Sequence, residues 1–114
     1  MYVCRLILNL GELAKYDKQD ICLTLTIKKE PVKMSKCFLW TCNDGQGKMV
    51  QMIVCKENSP TQYEQFENET HKLERDTAYF FENVRVKKLW EKWAKPEHIA
   101  YKLFFNENSQ FKKR

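Results

Sequence analysis

The sequence predicts a small, mainly β domain: a five-stranded Greek-key barrel with one helix between its third and fourth strands. Apolar and polar residues alternate with a period of two through most of the 114-residue chain. One segment, after Ser59-Pro60, changes to spacings of three and four. The resulting order is three strands, one helix and two strands, which is the order of such a barrel.

Each element has its own justification. Ile21, Leu23, Leu25 and Ile27 alternate with Cys22, Thr24, Thr26 and Lys28, the pattern of a half-buried first strand. Pro31 and Ser35 mark the connection that follows. Cys37 to Cys42 is rich in β-favouring residues, with Trp40 in phase with Phe38 and Cys42 and so assigned to the core. Asn43-Asp44-Gly45-Gln46-Gly47 suits a hairpin turn, because Gly and Asn tolerate positive φ. Val50 to Cys55 is the returning arm, with Val50, Met52 and Val54 inward. Ser59 as N-cap, Pro60 as first helical residue and Gln62 as the end of a capping box start the helix. Tyr63, Phe66, Thr70 and Leu73 give it one buried stripe. The fourth strand, from Thr77 to Val86, turns Tyr79, Phe81, Val84 and Val86 inward. Its alternation shifts phase at Asn83, the mark of a bulge. Ile99 to Phe105 is the fifth strand. The domain is expected over residues 20–110. Residues 1–19 form an extension in which Val3 to Leu10 reads as a short strand or a helical turn, and 111–114 form a basic tail expected to fray.

Composition narrows the function classes. A chain 43% hydrophobic and 13% aromatic, with three Gly and three Pro, can bury one core and is not low-complexity. It has no run of about eighteen apolar residues, so no membrane span is expected, and no secretory signal is read at the N-terminus. The five cysteines, Cys4, Cys22, Cys37, Cys42 and Cys55, form no C-x-x-C pair, and His71 and His98 lie far from them in sequence. No metal site is expected, and the thiols are read as reduced and intracellular. Asn68-Glu69-Thr70 matches a glycosylation acceptor, read as a chance match. With no phosphate-cradling glycine loop, metal-binding helix motif or nucleophile elbow, the chain reads as non-catalytic, with no cofactor.

Charge is segmented. Lys28, Lys29, Lys33 and Lys36 stand against Glu30 in the first connection. Arg85, Lys87, Lys88, Lys92 and Lys95 stand against Glu91 around the fourth, interleaved with Trp90 and Trp93. Acids dominate from Glu57 to Asp76, over the helix. Flat indole faces and ammonium groups together suit the bases and phosphates of a single strand. A polyanion would be drawn to the basic connections and repelled from the acidic helix.

The order of elements is that of the oligonucleotide-binding fold (OB-fold). The hairpin KCFLWTCNDGQGKMVQMIV, the strand from Tyr79 to Val86 and the ending YKLFFNENSQ resemble the single-stranded-DNA-binding domains of the replication protein A large subunit, over about residues 20–110. Tyr101, Leu103, Phe105, Asn106 and Ser109 match that family's closing strand. Telomere-end-binding proteins share the architecture. The resemblance implies non-catalytic binding of single-stranded DNA in replication, repair, recombination or telomere maintenance, in the nucleus. Bases would cross the second and third strands over Thr41, Gln51, Ile53 and Cys55, with Lys56 at the end. Lys28, Lys29, Lys33, Lys36, Arg85, Lys87, Lys88, Lys92 and Lys95 would meet phosphates. The family often places an aromatic and a basic residue near Gln51 and Cys55. This chain departs from that pattern at both positions, so stacking is assigned mainly to Trp90 and Trp93. The alternatives are single-stranded RNA binding and a protein-interaction module anchored by the two indoles. Residues 1–20 are a candidate partner or homo-oligomer surface.

Overall fold

Strand Asp20–Ile27 (β2) closes the molecule on itself, because it pairs on both sides. The computed structural model describes residues 5–88 and 98–114, with 98–100 as backbone only. Thr26 and Ile27 of β2 pair antiparallel with Cys37–Asn43 (β4), which forms a hairpin with Met49–Cys55 (β5). Parallel to β5 runs His98–Phe104 (β7), followed by Ala78–Lys88 (β6), whose first half returns to β2. The ring β2-β4-β5-β7-β6 is a closed five-stranded barrel. Pro60–Glu67 (α1) lies in sequence between its third and fourth strands, as expected.

Alternation fills the interior. Ile21, Leu23, Leu25, Ile27, Val50, Met52, Val54, Tyr79, Phe81, Val84, Val86 and Leu103 are all buried. Trp40 belongs to the core as predicted, with its ring 4.8 Å from that of Phe66 on α1. Phe66 also meets Phe105 and Phe111, so an aromatic cluster plugs the end of the barrel beneath the helix. The hairpin turn has Gly45 at φ +81° and Gly47 at φ +86°, backbone that favours glycine. Asn83 takes φ +59°, and four residues of β6 (81–84) stand against three of β2 (21–23), which is the expected bulge.

Several expectations are corrected. The first connection holds a short strand, Val32–Met34 (β3), paired with β4. Among the described residues of the N-terminal segment, Arg5–Leu6 (β1) runs parallel to β2 and Leu10–Tyr16 is a 3-10 helix that buries Leu10 and Leu13. The basic tail does not fray: Gln110–Lys113 (β8) pairs with β6 because Phe111 docks into the aromatic cluster. Helix α1 ends at Glu67, and Thr70 is exposed beyond it. There the Asn68 side chain accepts the Thr70 N–H at 3.0 Å, a local bond that competes with continuing the helix. Pro60 opens α1 as predicted, but the capping box does not form. Ser59 Oγ donates to the Cys55 carbonyl, and Gln62 Nε2 reaches the carbonyls of Asn106, Glu107 and Ser109 instead.

The expectation of reduced thiols is also overturned. Cys37 and Cys55 are register partners on β4 and β5 and form a disulfide, and Cys22 is disulfide-bonded as well. Cys42 is a buried free thiol.

Candidate functional site

The outer face of the barrel across β3, β4, β5, β7 and β6 is ordered in transverse rows. Inward Phe38, Trp40 and Cys42 leave Cys37, Leu39 and Thr41 facing out. Register then aligns Val32, Leu39, Ile53, Phe104 and Arg85 in one row. A second row holds Thr41, Gln51, Lys102 and Lys87. A third holds Met34 and the Cys37–Cys55 disulfide. Among the described residues this surface is therefore an apolar strip carrying the Phe104 ring, edged by amide, hydroxyl and ammonium groups.

Phe104 is the residue that the sequence reading missed. It is half-buried, and Lys87 Nζ sits 4.8 Å from its ring centroid. The strip thus has an aromatic platform on β7, where the sequence reading placed none outside the tryptophans. Lys102 was missed with it. The signal was present: if Tyr101, Leu103 and Phe105 point inward, Lys102 and Phe104 point outward.

The predicted contacts separate by position. Thr41, Gln51 and Ile53 face the strip, although Ile53 is only 5% exposed between Leu39 and Phe104. Cys55 also faces out, but its sulfur is committed to Cys37. Lys36 and Lys56 are brought together at the disulfide end, where the Lys56 N–H donates to the Lys36 carbonyl at 2.9 Å. Lys87 and Lys88 are exposed at the other end of the strip, and Lys29 is exposed in the first connection. Arg85 ends the central row and pairs with Asp20 at 2.6 Å. Trp90, Lys92, Trp93 and Lys95 lie outside the described residues.

Lys28 and Lys33 correct the picture of a basic connection held apart from an acidic helix. Lys28 pairs with Asp76 at 3.4 Å and Lys33 with Glu67 at 3.2 Å. The alternation of β3 sends Val32 and Met34 to the strip and Lys33 to the helix side, where it also lies over the Phe38 ring. Both pairs are exposed and contribute about 0–1 kcal/mol each.

No family model and no curated protein match the chain in sequence. Solved structures do match it. The OB domain of a Methanosarcina mazei protein aligns at TM-score 0.68 and 13% identity, covering 99% of this chain and 86% of that one. A replication protein A heterotrimer bound to single-stranded DNA aligns at TM-score 0.66 and 11% identity, covering 95% of this chain but only 24% of that one. The Schizosaccharomyces pombe Pot1pC domain bound to the single strand CGGTTACGGT aligns at TM-score 0.61 and 11% identity, covering 99% and 87%. At these identities the likeness shows the fold, which is the OB-fold.

Proposed function

We propose that the chain binds single-stranded DNA without catalysis, with bases laid across the outer strip of β4, β5 and β7. The observation that supports this reading most is Phe104, a half-buried ring in the floor of the strip with Lys87 over it and Lys102 one residue before it on β7. A ring stacks on any base, and the cations match the phosphates beside it. Replication, repair, recombination or telomere maintenance are the processes we assign to it, a reading supported by the likeness to replication protein A and Pot1pC, each bound to a single strand.

Fluorescence anisotropy with oligo-dT and a duplex control tests the reading. Single-strand preference is expected. Phe104→Ala loses a platform worth about 1–3 kcal/mol, so affinity falls about five- to 150-fold. Equal binding of single strand and duplex, or unchanged affinity in a folded Phe104→Ala variant, would refute it. A second reading, docking of a protein segment, has one observation in its favour: Val32 and Met34 expose apolar side chains along β3. Under it, Val32→Ser with Met34→Ser leaves oligo-dT affinity unchanged.

A further inference from the structure

Strand β6 carries outward residues on two stretches, separated by the bulge at Asn83. Arg85 and Lys87 belong to the strip already described. Phe80, by contrast, lies where β6 is flanked by β2 and β8, as the register partner of Thr24 on one side and Lys112 on the other. Lys112 Nζ and the Arg114 guanidinium carbon each lie 5.7 Å from the Phe80 ring centroid. In the next row Thr26 faces Ala78, whose carbonyl accepts the Arg114 N–H at 3.0 Å. Among the described residues neither cation has a carboxylate partner, whereas Lys113 between them pairs with Glu74. A half-exposed ring, two exposed cations and two hydroxyls repeat the chemistry of the strip on another wall of the barrel.

We propose that a single strand held in the strip continues along the outer face of β6 onto the Phe80–Lys112–Arg114 patch. This inference rests on the single-strand reading above. From Lys87 back to Phe80 the strand advances about 23 Å at about 3.3 Å per residue, comparable with the roughly 19 Å width of a five-stranded strip. The patch therefore adds about one further strip-length of contact, and only a longer oligonucleotide reaches it. Two acids lie on the route. Asp20 is paired with Arg85, and Glu82 stands between Phe80 and Arg85.

The experiment titrates the full chain with oligo-dT of about 5 and about 12 nucleotides, within the site sizes of this fold. Lys112→Glu combined with Arg114→Glu leaves the core untouched and is expected to weaken the long oligonucleotide about tenfold while the short one stays within about twofold. Phe80→Ala follows the same pattern. Glu82→Gln strengthens the long oligonucleotide alone. Parallel weakening of both lengths, or no effect on the long one, overturns the proposal, the second result also if the patch captures an acidic peptide instead. Failure of the underlying reading looks different: wild type shows no single-strand preference, and Phe104→Ala leaves the short oligonucleotide unchanged.

Discussion

Cys42 points inward from β4, and burial pushes its thiol from the ordinary 9.0 up to about 12. The native state therefore holds a proton that the unfolded chain releases. The resulting stabilisation is fully present below pH 9, shrinks as the unfolded thiol ionises, and is lost as pH rises through about 12. Urea midpoints measured from pH 7 to pH 10.5 are expected to fall more steeply in wild type than in Cys42→Ala. Cys37 and Cys55 make the opposite kind of contribution, acting mainly on the unfolded chain. They are 18 residues apart in sequence, and a bridge closing a loop of that size stabilises by about 3 kcal/mol. Cys37→Ser with Cys55→Ser is expected to lower the unfolding free energy by about that amount. Wild type in excess dithiothreitol, which also opens the bond at Cys22, should fall at least as far. The inward aim of Cys42 was readable from alternation alone. The Cys37–Cys55 pairing needed register: once Asn43 meets Met49, each step back along β4 matches a step forward along β5, and Cys37 meets Cys55. Irregular spacing in sequence hides what a hairpin makes adjacent.

The turn after β7 shows how an element is locked by polar groups. The Asn106 N–H donates to Ser109 Oγ at 2.8 Å, and Ser109 Oγ donates to the Asn83 carbonyl at 2.6 Å. Asn106 Nδ2 reaches the same carbonyl, and Gln62 of α1 covers the outer side of the turn. The bulge of β6, the end of β7 and the helix are thereby tied at one point. The closing motif identified in the sequence through Asn106 and Ser109 has a structural reason in this chain. Ser109→Ala strands the partly buried Asn106 N–H and is expected to cost about 1–3 kcal/mol in thermal or urea denaturation. The five barrel strands were legible because alternation runs strongly along each of them, whereas the short β3 and β8 were not. Element ends were less so. The apolar spacing that carried the predicted helix to Leu73 continues in space, since Leu73 is buried, but the backbone has already left the helix at Asn68.

In the proposed complex, charge supplies the range of attraction and the strip supplies the contacts. If Lys36, Lys56, Lys87 and Lys102 each neutralise one phosphate, affinity for a short oligo-dT falls with a log–log salt slope of about −3, at about −0.7 per contact. A slope near zero would point to a docking surface that ignores phosphates. The five-strand plan and the outward set on β5 could be read from the sequence. The helix-side commitment of Lys28 and Lys33 could not, because acidic and basic runs far apart in the chain meet only after the barrel closes.

That closure has a further effect on how copies of the molecule behave toward one another. With β2 bonded on both flanks, the described sheet ends only at β1, β3 and β8, which are two, three and four residues long. Fringes so brief offer little backbone for a neighbouring chain to zip onto, and Lys112 and Lys113 add repulsion along the longest of them. A protein proposed to hold an extended polymer along its wall is thus a poor template for growing one of its own.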